Sequence, residues 1–252
     1  MIIGAQLFSV RDVCQSQKQI RDTFRKLREI GYTSVQISGF SYDAEATRAA
    51  ADEFDLHIGL THTPIEKILN ETDEVIRCHK VLGADVVGIG SPASYVFEDR
   101  TVDTDRLIAA FGDPVKKIED AGLRFAYHNH YMEFKDLGGY NTMDVLFERT
   151  NWLFTLDTGW ADYAGADAVK AIEKYADRLK YAHLKDFTRP EDGSRSITFI
   201  GNGVTPIDAI AAALKKAGTQ VAYVEQDNAP ESGDSIGEMK KSYDSLKAKG
   251  WS

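Results

Sequence analysis

Eight short apolar runs rich in Val, Ile, Phe and Tyr recur along the chain, separated by longer charged stretches with a helical period. They are Ile2–Phe8, Ser34–Ser38, Leu56–Thr61, Asp85–Ile89, Leu123–His128, Trp152–Leu156, Leu179–Leu184 and Gln220–Glu225. A short continuous apolar run reads as a strand buried on both faces, the kind a parallel sheet requires. The stretches between them are Gln17–Ile30, Ala44–Phe54, Ile65–Leu82, Asp103–Ala121, Thr142–Arg149, Asp167–Ala176, Pro206–Ala217 and Ser235–Lys249. The first of these places Ile20, Phe24, Leu27 and Ile30 on one helix face, with Gly31 behind it as a stop. Gly83, Gly122 and Gly218 each stand between a helical stretch and the next run, where a left-handed helix cap is expected.

Eight β-then-α units with helical crossovers predict an α/β fold, a closed (β/α)8 TIM barrel. The units consume residues 1–252 almost completely, so a single domain is expected. An open doubly wound sheet would carry a Gly-rich phosphate turn after its first strand. Here that turn is Phe8-Ser9-Val10-Arg11-Asp12, and no GxGxxG or P-loop pattern occurs elsewhere.

Composition excludes several function classes. With 30 basic and 39 acidic residues the chain carries −9, which would repel a phosphate backbone, so no nucleic-acid partner is expected. No uncharged apolar run approaches the roughly 18 residues a membrane helix needs. Cys14 and Cys78 have no metal-ligand spacing and read as buried thiols. The start, Met1-Ile2-Ile3-Gly4, has no basic region of a secretory signal, although a removed signal would leave no trace; the cytoplasm is the default expectation. A homo-oligomer is compatible with all of this.

In such a barrel the chemistry sits at the C-terminal ends of the strands. The fifth run ends in His128-Asn129-His130 with Glu133 beyond, the sixth in Asp157, the seventh in His183-Leu184-Lys185 and the eighth in Glu225. Carboxylates crowded together without a cation would raise one another's pKa; a divalent ion removes that conflict and supplies a Lewis acid. Mn²⁺, Mg²⁺, Co²⁺ or Zn²⁺ suits such a set of carboxylates and imidazole. Each residue also has a bland role open to it: Asp157 as a helix cap, Glu225 as the partner of Lys185, His183 as a satisfied barrel histidine. His128 and His130, two apart, can face the same side and act as base or acid. Lys185 shares the direction of His183 and can anchor a substrate oxygen. Gln6, Gln36, His62 and Trp160 are candidate substrate contacts at the ends of other strands. Phe8, Phe40, Tyr95, Tyr131 and Trp160 form a candidate aromatic rim, and Gly201-Asn202-Gly203 is either a ligand-approaching loop or a plain turn.

Together, Gly4–Asp12, Tyr127-His128-Asn129-His130 with Glu133-Phe134, Leu156–Trp160, His183–Asp186 and Val224–Asp227 resemble the xylose-isomerase-like TIM-barrel superfamily. Within it the chain looks like the sugar phosphate isomerase/epimerase branch. The resemblance implies one divalent metal held by Glu, Asp, His and Glu from strands 5 to 8, with the two glutamates moving the substrate proton. Asp157, His183 and Glu225 match that pattern. Strand 5 departs from it: His128 stands where the metal-binding Glu is expected, and Glu133 follows five residues on. Either Glu133 folds back to complete the metal set, leaving His128 or His130 as base, or His128 is itself the ligand and Glu133 orients it. The family's ligand set favours Glu133. Trp160 is a second departure, at a position where the epimerases often carry histidine.

The resemblance implies a metal-dependent isomerase or epimerase acting on a sugar, keto-sugar or polyol, by α-proton abstraction with an enediolate-type intermediate. The alternative is a lyase or dehydratase that eliminates from a keto-sugar or keto-glycoside, because one base suffices for elimination whereas clean epimerisation needs two. A sugar-binding barrel without catalysis is a further alternative. A DNA-repair endonuclease of the same superfamily would need more histidines and a basic surface. The expected partner is a small carbohydrate.

Overall fold

The computed structural model describes residues 1–191 and 194–251. Among the described residues ten strands occur in this order: β1 (Ile2–Gln6), β2 (Ser34–Ile37), β3 (His57–His62), β4 (Val86–Ile89), β5 (Arg124–His128), β6 (Leu153–Asp157), β7 (Tyr181–Leu184), β8 (Asp186–Thr188), β9 (Ser196–Thr198) and β10 (Val221–Val224). All but β8 and β9 close into one parallel barrel in the order β1-β10-β7-β6-β5-β4-β3-β2. The helices are α1 (Gln17–Ile30), α2 (Ala44–Glu53), α3 (Ile65–Asn70), α4 (Thr72–Leu82), α5 (Thr104–Asp120), α6 (Thr142–Arg149), α7 (Thr158–Tyr163), α8 (Ala168–Lys174), α9 (Ile207–Lys216) and α10 (Ser235–Ala248). The predicted (β/α)8 barrel is therefore the observed one. Among the described residues no helix is long and apolar enough to cross a membrane.

Local chemistry sets where the elements begin and end. Side chains of Ser16, Asp43 and Asp103 accept from the third amide beyond them and open α1, α2 and α5. Gly83, Gly122 and Gly218 take φ of +69°, +84° and +78° behind α4, α5 and α9, the left-handed conformation that stops a helix at little steric cost. Four details depart from the sequence reading. The first strand stops at Gln6, whose side-chain oxygen accepts from the Phe8 amide and turns the chain into a 3-10 segment, Leu7–Val13. The Ile65–Leu82 helix divides at Glu71, where the Thr72 hydroxyl bonds back to the Ile68 carbonyl at 2.7 Å. Asp157 caps an unpredicted helix, α7, and β8 pairs antiparallel with β9 in an unpredicted hairpin. Cys14 is a buried free thiol, its pKa pushed up to about 12 by burial, whereas free Cys78 is only half-buried.

Alternation along each strand divides the barrel interior into two layers. The lower layer is apolar: Leu60, Val86, Ala126, Leu153, Tyr181, Val221 and Tyr223 form one buried cluster. Tyr223 fits because two facing positions are glycine. A Cβ on Gly4 would lie 2.3 Å from the Tyr223 ring, and one on Gly59 would lie 2.4 Å from its hydroxyl. That hydroxyl pairs with Ser34 Oγ at 2.9 Å, and the Tyr181 hydroxyl donates to Asp85 Oδ1 at 3.0 Å, so both tyrosine hydroxyls of the packed layer are satisfied. Two residues further along the same strands, the interior changes character.

Candidate active site

The next inward positions after Ala126, Tyr181 and Tyr223 are His128, His183 and Glu225, and the period of two continues on β6 through Thr155 to Asp157. Register locks them together, since Asp157 lies opposite His183 and His183 opposite Tyr223. His128, Asp157, His183 and Glu225 are all buried, and each offers one ligating atom within 4.8 Å of the others. Lys185, two residues past His183, is buried with them. Its ammonium lies 3.2 Å from Asp157 Oδ2, 3.1 Å from Glu225 Oε2 and 2.9 Å from Asp227 Oδ2.

Each carboxylate is anchored by one oxygen and presents the other. Asp157 Oδ1 accepts from the Trp160 amide at 2.8 Å, so the capping role is real, but Oδ2 has no hydrogen-bond partner. Glu225 Oε1 accepts from Gln6 Nε2 at 3.1 Å, while Oε2 faces His183 Nδ1 at 3.0 Å. His128 Nδ1 lies 3.1 Å from the Gly90 carbonyl. A carbonyl only accepts, so the bond assigns the proton to Nδ1 and leaves the Nε2 lone pair pointing inward. That Nε2 has no hydrogen-bond partner, and Asp157 Oδ2 and Glu225 Oε2 lie 3.6 and 3.8 Å away. His183 lies between two acceptors, the Gln36 oxygen 2.6 Å from Nε2 and Glu225 Oε2 3.0 Å from Nδ1, so Nδ1 is the ring nitrogen that faces the cluster.

Ring nitrogens facing carboxylate oxygens in a buried pocket call for positive charge between them. The four donors fit a divalent cation on that ground, with Gly90 and Gln36 supplying the outer hydrogen bonds that orient metal-binding imidazoles. The protonation behaviour agrees. Burial lowers the His128 pKa, yet Asp157 and Glu225 outweigh it and push the value up. Burial also opposes ionisation of Asp157 and Glu225, but Lys185 and the neighbouring imidazoles hold both carboxyls below the usual range.

A model of the xylose isomerase-like TIM barrel matches residues 24–249. The chain belongs to that family. It is similar to an inosose dehydratase of Clostridium perfringens (strain 13), 24% identical over 173 residues, 58% of this chain and 56% of the relative. The matches span from 22% to 56% of the length of the curated relatives. Among solved structures, a sugar phosphate isomerase/epimerase from Parabacteroides distasonis superposes with a TM-score of 0.79 at 23% identity, over 98% of this chain and 93% of that one. A D-allulose 3-epimerase from Methylomonas in complex with D-allulose gives 0.69 at 16% identity, over 98% and 96%. These likenesses carry the xylose isomerase-like fold.

Within this family member, a cavity of about 340 Å³ reaches the cluster at His128 and Glu225. His62, His128, His130, Lys185, Glu225 and Asp227 line it together with Phe8, Ser38 and Ser91. His130 Nδ1 and His62 Nε2 are buried there without partners. Burial and the adjacent His128 lower the His130 pKa to about 3, and burial with His128 and His183 lowers that of His62 well below the ordinary value. Both rings therefore stay neutral. Burial works against the Lys185 charge, yet Asp157, Glu225 and Asp227 hold its pKa above the usual lysine value. The Trp160 ring stands 4.6 Å from the ammonium.

Several candidates are placed differently from the sequence reading. Glu133 does fold back and is buried, but onto other groups: Oε1 accepts from the Tyr127 hydroxyl and Oε2 from the His130 amide, each at 2.8 Å. Tyr127 is the outward residue beside His128, so Glu133 fixes the His130 loop from outside the cluster, and His128 stands in the cluster instead. Gln6 donates to Glu225 and the Gln36 oxygen meets His183, and neither glutamine lines the cavity, although Gln36 Nε2 is without a hydrogen-bond partner. Gly201-Asn202-Gly203 closes on Asp186, whose Oδ2 accepts from the Gly201 and Gly203 amides at 2.9 and 3.0 Å; it is a turn. Tyr95 is buried against Phe111 and forms no rim.

Asn129 and Asp227 were missed. The Asn129 amide accepts from the Asp157 amide and donates to the Asp157 carbonyl, clasping β5 to β6. Asp227 follows Glu225 by two, the same spacing that pointed to Lys185 after His183, so the signal was present.

Proposed function

We propose that this chain is a metal-dependent enzyme that removes the proton α to the carbonyl of a small keto-sugar or keto-polyol. The observation that carries the reading is the buried group of His128, Asp157, His183 and Glu225, whose ligating atoms lie within 4.8 Å of one another, beside a cavity of about 340 Å³ that His128 and Glu225 line. These four would hold one divalent ion of the Mn²⁺, Mg²⁺, Co²⁺ or Zn²⁺ class. Bound there, it would supply a Lewis acid that polarises the substrate carbonyl and acidifies the neighbouring C–H. His128 takes the place that Glu133 was expected to fill.

The chain's own groups supply the proton handling. His130, neutral and with Nδ1 free, is the base for the α-proton. Glu133 holds the His130 amide and so fixes the loop that carries the ring. Lys185, kept charged, donates toward an oxygen that gains negative charge or departs. The small cavity suits a single polyhydroxylated ring or chain, with Phe8 in its wall.

One proton abstraction serves three outcomes: isomerisation, epimerisation and loss of a β-hydroxyl as water. The balance of groups favours elimination. Both cluster carboxylates would be committed to the cation, so the cavity offers a neutral base, His130, and a proton donor, Lys185, rather than two bases. Similarity to an inosose dehydratase supports the same outcome, while similarity to an isomerase/epimerase and an allulose epimerase supports the other two. Incubation with a panel of inososes and ketoses in D₂O, read by NMR and mass spectrometry, separates them. Metal-dependent exchange with loss of water is the expected result. Exchange with the formula retained assigns an isomerase or epimerase, and no exchange across the panel contradicts the reading.

A further inference from the structure

We propose that Lys185 is a built-in counter-ion that competes with the divalent cation for the Asp157–Glu225 carboxylate pair, and that Asp227 receives its ammonium when the cation binds. The inference rests on the metal reading given above. Its basis is that two cations need the same two oxygens. Asp157 Oδ2 and Glu225 Oε2 are the atoms that face His128 Nε2, and the Lys185 ammonium already lies 3.2 and 3.1 Å from them. Asp157 and Glu225 are 0% and 4% exposed, so little solvent screens their mutual repulsion, and the ammonium offsets it while no metal is bound. A divalent ion on the same oxygens would repel the ammonium at close range.

The fold provides a place for the ammonium to go. Asp227 Oδ2 is its nearest partner at 2.9 Å and is the outermost of the three carboxylates, its side chain 27% exposed and lining the cavity. The base of the lysine cannot follow, because the chain packs tightly against it: a Cβ on Gly159 would lie 2.5 Å from Lys185 Cβ. Movement is confined to the far end of the side chain, over the Trp160 face. In the loaded state the ammonium is then held at the cavity wall, where it meets substrate oxygen. Asp227 is a positioning residue on this account, acting through Lys185.

The test is calorimetric titration of the chelator-stripped full chain with Mn²⁺, comparing the wild type with Lys185→Met and Asp227→Asn. Lys185→Met is expected to tighten the metal dissociation constant by about tenfold or more, since a competing unit charge is gone. Asp227→Asn is expected to weaken it by several-fold, because the ammonium loses its alternative partner and stays on the pair. Opposite signs are the signature, as purely structural damage would weaken binding in both. Should stripped Lys185→Met fail to fold, it is purified loaded and the metal is withdrawn by excess chelator, with slower release than from the wild type expected. Unchanged or weaker binding, or faster release, in Lys185→Met overturns the inference while leaving the metal reading intact, and so does unchanged or tighter binding in Asp227→Asn. A wild type that binds no Mn²⁺ overturns both.

Discussion

The barrel interior holds two adjoining layers built on the same strands with opposite chemistry. In the lower layer Tyr223 fills space left by Gly4 and Gly59, and its single polar atom is paired with Ser34. In the upper layer, one inward position along, His128, Asp157, His183, Lys185 and Glu225 share a buried space, and Asp157 Oδ2 and His128 Nε2 have no hydrogen-bond partner. The lower layer obeys every packing rule. The upper one breaks the rule that buried polar atoms are paired, and it does so where a cation would repair the breach. Stability and function are thus divided along the strand axis.

The largest effect is expected from breaking the upper layer alone. His128→Gln can keep a donor to the Gly90 carbonyl while removing the inward nitrogen. Metal affinity measured by titration should fall by about 100-fold or more, a larger loss than orienting groups give. The melting temperature of the stripped protein should change little. If Glu133→Gln produces the larger loss, the ligand assignment on β5 is wrong.

His79 sharpens the contrast from outside the barrel wall. It is as buried as His128, but its ring bonds are to uncharged groups, Thr61 Oγ1 and the Val75 carbonyl. Burial lowers its pKa from 6.5 to about 4. The unfolded chain therefore binds this proton more readily, so stability is full above pH 6.5 and falls as the pH drops toward 4, by up to about 3 kcal/mol. Denaturant midpoints between pH 7 and 4 should show a shallower acid decline in His79→Gln than in the wild type. An identical decline would remove His79 from the account.

A lower-layer change should act in the opposite sense to His128→Gln. Gly59→Ala would put a Cβ against the Tyr223 hydroxyl and the Tyr181 ring. It should cost about 1–3 kcal/mol, lowering the melting temperature while the folded fraction keeps its metal affinity. Loss of metal affinity without loss of stability would merge the two layers. The smallest effect is expected for Tyr127→Phe, which removes the hydroxyl bonded to Glu133 and should cost about 1 kcal/mol. Turnover should fall several-fold as the His130 loop loosens, with metal binding unchanged by titration.

The barrel was legible because its strands are short apolar runs and its helices close on glycine, signals that need only local sequence. Asp157, His183 and Glu225 were legible for a related reason: the period of two fixes which strand-end residues face inward. Asp227 obeyed that rule and was passed over. Glu133 was not legible, because its position depends on how a loop folds, and the partner that captured it, Tyr127, faces outward where sequence spacing gives no hint of a polar contact. The same applies to the Gly201–Gly203 turn, which is shaped by Asp186 across a hairpin that local pattern did not reveal. Gln6 and Gln36 were correctly placed at strand ends, but only the three-dimensional register shows that they serve Glu225 and His183.

The central claim is that the upper layer is one cation site centred on β5, β6, β7 and β10. Anomalous diffraction from a crystal of the chelator-stripped protein soaked in Mn²⁺ tests it most directly. The expected result is one strong peak bounded by His128, Asp157, His183 and Glu225, with Glu133 still on Tyr127. A peak ligated by Glu133, or none between those four side chains, would contradict it.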